Sequence, residues 1–182
     1  ETVDVRQTHQ NGLVERVGWR LRIVVSLIGL LGTKGCAVTS DDSPPAFDVM
    51  ERSIAELNEA LRLEEVTSQD LVNLYLDRIS AYDQQGPNLN TVITLNPRAL
   101  EEAAVLDAER VSGSVRGPLH GVPVLVKDNY DTVNMPTTAG AIGLAMSIPP
   151  DDAFQVRRLK EAGAVILGKT NMHELARGIT TL

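Results

Sequence analysis

The chain reads as an α/β fold, with N-terminal helices followed by part of a mixed or parallel β-sheet that carries helices on both faces. Three observations predict it. Segments with apolar residues at helical spacing alternate with short Val- and Ile-rich runs, the order of strands joined by helical crossovers. Gly and Pro punctuate the junctions, at Gly86-Pro87, Ser112-Gly113-Ser114, Gly117-Pro118 and Gly163. The composition is aliphatic, 43% hydrophobic with only 3% aromatic residues, which suits a packed sheet and argues against a disordered chain.

Residues 1–45 stand apart from the rest. Arg16, Arg20 and Arg22 precede the apolar run Ile23 to Leu31, and small residues and a polar, Pro-containing stretch follow. That order of basic, apolar and small is the pattern of a secretory signal peptide, and the run is about half of the roughly 20 residues a spanning helix needs. Gly35-Cys36, followed by a tether-like stretch to Pro45, suggests a lipid anchor on Cys36, although Lys34 just before it fits a bacterial lipoprotein signal badly. The expected location is therefore exported, either periplasmic or secreted, with a lipoprotein anchor as a variant; a chain that does not use this segment as a signal stays cytoplasmic. Cys36 is the single cysteine, so an intrachain disulfide framework is excluded.

Residues 46–182 form the folded region. Asp48 to Leu63 places Ile54, Leu57, Ala60 and Leu61 on one helical face and Glu51, Glu56 and Glu59 on the other. Thr67 opens a second helix: its hydroxyl can cap exposed amides, and Asp70 sits in the electropositive first turn. The apolar stripe of that helix is Leu71, Leu74, Tyr75, Ile79 and Tyr82. Thr91 to Leu95 reads as a strand, after which Asn96 is expected to cap a third helix, with Pro97 at its first position and an end near Val111. Val122 to Val126 is a short apolar run bounded by turn residues, the pattern of a strand buried on both faces. A loop from Asp131 to Pro150 follows. Asp151 or Asp152 then caps a helix with Phe154, Val156 and Leu159 inward. Ala164 to Leu167 reads as a strand, with a short helix from Met172.

Charge and motif exclude several functions. Lys and Arg number 17 against 24 Asp and Glu, a net charge of −7, and no basic stripe appears, which argues against nucleic acid as a partner. Gly163-Ala-Val-Ile-Leu-Gly168-Lys169-Thr170 matches a phosphate-loop pattern letter for letter. However, a helix precedes the first glycine, and the residues between the glycines are an aliphatic strand whose amides belong to a sheet, not to a phosphate cradle. His9, His120 and His173 lie far apart, with no second ligand at metal spacing. His120 is expected to hydrogen-bond within its loop, and Glu174 to make a structural hydrogen bond. Nothing marks Ser112 or Ser114 as a nucleophile.

The candidate chemistry lies at the end of the Val122 to Val126 run. Lys127 stands where another apolar side chain would be expected, and a buried, unpaired ammonium there must find a partner, reach solvent or lose its proton. Residues just past the carboxyl ends of strands are where open α/β sheets place ligand and catalytic groups. Asp128 and Asn129 could orient Lys127 or cap the turn after it. Thr137, Thr138 and Gly140 supply small hydroxyls and a flexible backbone for a site wall.

Three segments together carry a resemblance: Gly117-Pro-Leu-His-Gly-Val-Pro-Val-Leu-Val-Lys-Asp-Asn129, Met135-Pro-Thr-Thr-Ala-Gly140, and Asp151 to Ala176. In this order they resemble the amidase signature family, from about Asp48 onward. The resemblance implies an amidase hydrolysing a carboxamide C–N bond in a small-molecule or peptide substrate, with no cofactor and no metal. It implies a Ser–cisSer–Lys triad in which Lys127 is the general base, neutralised by burial at a strand end. In the family both serines lie C-terminal to the part matched here, so the segment 46–182 is expected to be the N-terminal part of an incomplete amidase signature fold, inactive and aggregation-prone alone through open strand edges. Two alternatives remain open: the glutamine-hydrolysing A-type subunit of an amidotransferase, and a non-catalytic α/β binding domain.

Overall fold

The computed structural model describes residues 47–178. The signal-like segment, Cys36 and the tether lie outside the described residues. Four α-helices and three strands follow in the order α1 (Ile54–Arg62), α2 (Ser68–Tyr82), β1 (Val92–Leu95), α3 (Ala99–Val111), β2 (Pro123–Lys127), α4 (Phe154–Glu161) and β3 (Val165–Thr170).

The first two helices begin where local chemistry dictates. The Ser53 hydroxyl accepts from the Glu56 amide while the Glu56 carboxylate accepts from the Ser53 amide. Thr67 and Asp70 make the same reciprocal cap on α2, as the sequence predicts. Helix α1 starts at Ile54 rather than Asp48, and Ile54 is 51% exposed because it lies one turn beyond the buried stretch Leu57, Ala60 and Leu61. Tyr82, at the last turn of α2, is likewise exposed instead of joining the stripe.

The sheet has the order β1-β3-β2. β3 pairs in parallel with β2 across the α4 crossover and antiparallel with β1, so the sheet is mixed. On one face α2 and α3 bring Val72, Ala103 and Leu106 onto Val165 and Leu167. On the other, Val156 of α4 and Met135 of the long loop cover Val126 and Ile166. Helices therefore lie on both faces. A third cluster, built from α1, the start of α2 and Val122, closes the end of the layer.

Several local expectations are corrected. Asn96 does not cap α3, which begins at Ala99 behind a turn. Its side chain is drawn to the sheet instead: Nδ2 donates to the Ile166 carbonyl at 2.7 Å, and Oδ1 accepts from the Arg98 amide at 2.9 Å and from Asn134 Nδ2 at 2.7 Å. Neither Asp151 nor Asp152 caps α4, whose cap position is Ala153. Asp152 ties the loop down, accepting from the Val133 amide at 2.9 Å and pairing with Lys160 at 2.8 Å. Phe154 is 64% exposed; two residues from the buried Val156, it cannot share its helix face. β3 runs on to Thr170, past the expected end at Leu167, and beyond it, among the described residues, only a 3-10 turn forms, at Glu174–Ala176.

The largest correction concerns β2. It lies at an edge of the sheet among the described residues, and it is not buried on both faces. Val126 is buried while Leu125 and Lys127 are exposed, since successive side chains point to opposite faces and the face opposite α4 is only partly covered, by α2 across an open groove.

Candidate active site

Lys127 ends β2 opposite Thr170, the last residue of β3, so it sits at the carboxyl ends of two parallel strands. The Asp128 amide donates to the Thr170 carbonyl at 3.1 Å, and the Lys127 carbonyl accepts from the Tyr130 amide at 3.0 Å. The backbone around the lysine is therefore held on both sides. Its side chain is exposed, so of the three routes open to a strand-end ammonium it takes the one to solvent. Burial at the strand end, the expected means of neutralising it, is not provided among the described residues. On the same face as Leu125 runs a groove of about 490 Å³ lined by Tyr75, Ile79, Tyr82, Leu89 and Leu167 among others.

Asp128 points the other way, as period-two alternation requires, and does not orient Lys127 through its side chain. It is fully buried. One carboxylate oxygen, Oδ2, accepts from the Thr138 amide at 3.2 Å, the Gly140 amide at 3.3 Å and the Thr138 hydroxyl. The Gly140 amide also donates to Thr138 Oγ1 at 3.1 Å. The other oxygen, Oδ1, faces Lys169 Nζ at 3.4 Å without an aligned hydrogen bond. Asp128, Thr137, Thr138 and Gly140 thus come together beneath β2, while Lys127 and Asn129 remain outside in solvent.

At the centre of that cluster is a residue that sequence reasoning passed over. Lys169 is completely buried. Its ammonium donates to the Pro136 carbonyl and to Thr137 Oγ1, each at 3.0 Å, and lies 3.4 Å from Thr132 Oγ1. Burial lowers its pKa from the ordinary lysine value, and the Asp128 carboxylate works against that shift. Simple alternation along β3 would set Lys169 beside Val165 and Leu167, facing α2 and α3. A β-bulge intervenes: Val124 pairs with Ile166 and the next residue, Leu125, with Gly168. The extra residue re-aims Lys169 toward the loop that follows β2. The available signal was a lysine inside an aliphatic run, but the phosphate-loop likeness of the same letters absorbed it. Gly163–Thr170 in fact supplies a strand: Val165–Thr170 pairs with β2, and its last three residues, Gly168–Thr170, pair with β1 as well.

The remaining candidates divide. His120 is buried; within its loop, as expected, Nδ1 accepts from the Arg116 amide at 3.1 Å, while Nε2 reaches out of the loop to within 2.9 Å of the Leu106 carbonyl of α3. Those partners place a proton on Nε2, which donates to that carbonyl. Glu174 is exposed at the start of the 3-10 turn, and among the described residues its side chain makes no hydrogen bond. Among the described residues no three His, Cys, Asp or Glu side chains gather closely enough to hold a metal.

The Amidase family model matches residues 70–182. The chain belongs to the amidase family. The A subunit of the glutamyl-tRNA(Gln) amidotransferase from Moorella thermoacetica is 45% identical over 127 residues, covering 69% of this chain and 26% of that one. Among solved structures, the native peptide amidase of Stenotrophomonas maltophilia superposes with a TM-score of 0.68 at 50% identity, over 70% of this chain and 26% of that one. An amidase family protein from Bacillus anthracis gives 0.67 at 43% identity, over 69% and 25%. This amidase-family chain thus spans about a quarter of the length of these relatives.

Proposed function

We propose that this chain carries the general base of a carboxamide hydrolase, Lys127, and that the polypeptide containing it cleaves amide C–N bonds by a Ser–cisSer–Lys relay. The observation that carries the reading is the position of Lys127, accessible at the carboxyl ends of β2 and β3 on a backbone anchored from below. Amide cleavage requires a base for the nucleophile and an acid for the departing amine. In this relay the amine of Lys127, buried and neutral once the part of the family fold that these residues do not span covers it, takes a proton from a serine nucleophile through a bridging serine. The serine oxygen forms its bond to the carbonyl carbon, and the proton returns to the leaving nitrogen as the C–N bond breaks. Water then releases the acyl group by the same relay in reverse. The two serines would come from the part of the family fold that these residues do not span.

The peptide amidase likeness, at 50% identity, favours a peptide or small-molecule carboxamide as substrate. A second reading rests on the 45% identity to an amidotransferase A subunit: glutamine hydrolysis with transfer of ammonia to charged tRNA. The N-terminal pattern of Arg16, Arg20 and Arg22 before an apolar run supports export of the chain, with Cys36 as a lipid attachment point, and favours the first reading. A mature N-terminus near residue 36 and a lipid-sized mass increment on Cys36 are the expected signs of that export.

The test uses the longest natural polypeptide that carries this sequence. It should release ammonia from C-terminally amidated peptides without added subunits, and Lys127→Ala should lower turnover at least about 10³-fold with an unchanged melting temperature. Turnover within tenfold of the parent would remove Lys127 from the role of base. Ammonia release from glutamine that depends on partner subunits and tRNA would establish the second reading instead.

A further inference from the structure

We propose that Lys169 is the positioning residue of this site: it clamps the 136–140 turn against Asp128 and thereby fixes the backbone from which Lys127 projects. The inference rests on the amide-hydrolase reading of Lys127.

Lys127 and Asp128 are consecutive, so whatever immobilises Asp128 immobilises the Cα of Lys127. Asp128 is held by three groups of the 136–140 turn: the Thr138 amide, the Thr138 hydroxyl and the Gly140 amide all meet one carboxylate oxygen. The Asp128 carbonyl accepts from the Ala139 amide at 3.3 Å as well. That turn is not a relaxed conformation. Ala139 has φ of 49° and Gly140 φ of 72°, and a Cβ on Gly140 would stand 2.7 Å from the Met172 carbonyl. Left-handed backbone at a residue with a Cβ, as at Ala139, persists only where the surroundings over-determine it. Lys169 supplies the determination from the opposite side, by holding the Pro136 carbonyl and the Thr137 hydroxyl. Its charge neutralises Asp128, the other ionised group enclosed in the cluster, while Asp131 lies near enough to favour the same ammonium.

Stability alone does not account for such a pair. Replacing a buried ion pair with apolar side chains of similar volume is often neutral or stabilising, so its value lies more in fixing one geometry. Here that geometry joins β3, the turn and the residue next to Lys127 into one unit. Lys169 itself is completely buried and its ammonium meets only the 132–137 segment and Asp128 among the described residues, so it acts through Asp128.

The experiment compares Lys169→Met, the paired variant Asp128→Asn/Lys169→Met, Lys127→Ala and a core control, Leu61→Ala, all in the longest natural polypeptide assayed on an amidated peptide. Lys169→Met should lower kcat about 10- to 100-fold while KM changes less than about threefold, since misplacing a catalytic group costs rate more than ground-state binding. Amide exchange at Thr138 and Gly140 should accelerate at least tenfold. Leu61→Ala, destabilised at a distance, should keep kcat within about threefold. If Lys169→Met leaves the buried Asp128 charge unpaired and the protein fails to fold, the paired variant removes that charge and decides the question: a low kcat with near-normal KM supports the clamp. A folded Lys169→Met or paired variant with kcat within threefold of the parent overturns it, as does a loss of kcat matched by Leu61→Ala. Retained turnover in Lys127→Ala overturns the reading of Lys127 itself, whereas its loss beside an undiminished Lys169→Met overturns only the positioning role.

Discussion

Asp83 ends α2 and closes the turn into β1, and replacing it by Asn should cost the protein about 2 kcal/mol at neutral pH. The carboxylate is buried at 3% exposure. Its Oδ1 accepts from the Thr91 amide and the Thr91 hydroxyl, each at 2.5 Å, and its Oδ2 from the Val92 amide at 3.2 Å and Gln84 Nε2 at 2.8 Å. Burial alone would push its pKa up, but these bonds more than offset it, led by those from Thr91, and hold the group down at about 2 against an ordinary 3.8. At 1.36 kcal/mol per unit, a depression of this size amounts to roughly 2 kcal/mol of stability. Because the folded state prefers the ionised form, that contribution is complete above pH 3.8 and drains away as pH falls from there toward about 2. Asn keeps the shape but neither the charge nor the second acceptor oxygen, so amide donors at Thr91 or Val92 lose their partner. Urea unfolding followed by circular dichroism at pH 7 and at pH 2.5 measures both parts. The Asp83→Asn deficit should be about 2 kcal/mol at pH 7 and shrink at pH 2.5, where the parent carboxylate is itself becoming protonated. A variant within about 0.5 kcal/mol of the parent at pH 7, or a deficit that does not change with pH, would refute the assignment.

Two further substitutions probe the scaffold. Gly163→Ala places a Cβ 2.6 Å from the His120 Cα at φ of 92°, so backbone strain and a clash coincide; a loss of about 2 kcal/mol or more in urea unfolding is expected, and a neutral outcome would mean the two loops are not in contact. Thr67→Ala removes the hydroxyl that accepts from the Asp70 amide at 3.0 Å and should cost about 1 kcal/mol, read as a lower urea midpoint at constant slope. No change there would mean that water or Asp70 alone satisfies the first turn.

What could be read from the sequence was the information held within a few residues. Thr67 and Asp70 announce a helix start because both partners of the cap lie in one turn. The apolar run before Lys127 announces a strand, and the punctuation around it gives the strand's place in the order. Where a side chain's partner lies far along the chain, local reasoning fails. Asn96 looks like a cap until its amide finds the Ile166 carbonyl, 70 residues away. Asp128 looks like a companion of Lys127 until alternation turns it inward onto a turn ten residues later. Lys169 looks like the end of a glycine-flanked motif, and only the bulge beside Leu167 determines which face it enters. Burial of β2 was misjudged for a related reason: an apolar run records what a strand can tolerate on each face, whereas its cover depends on which elements arrive there.

The sheet order has a consequence for how the chain acquires its structure. The central strand, β3, is the last of the three to be synthesised, and β1 and β2 have no partner in each other. Until Thr170 has left the ribosome, the first two strands emerge with their ladder groups open, while α1 and α2 already hold their own caps. The pairings that close the sheet span Val92 to Thr170 and Pro123 to Val165, and closure over such separations is slow relative to helix formation. The nascent chain therefore passes through a stage in which formed helices stand beside unpaired strands, and the arrival of β3 pairs both described strands and brings Lys169 to Asp128 in one event. A slowly translated stretch far enough past Thr170 for β3 to have cleared the exit tunnel would lengthen the time for that closure, whereas a pause with β3 still inside the tunnel would prolong exposure of the open edges.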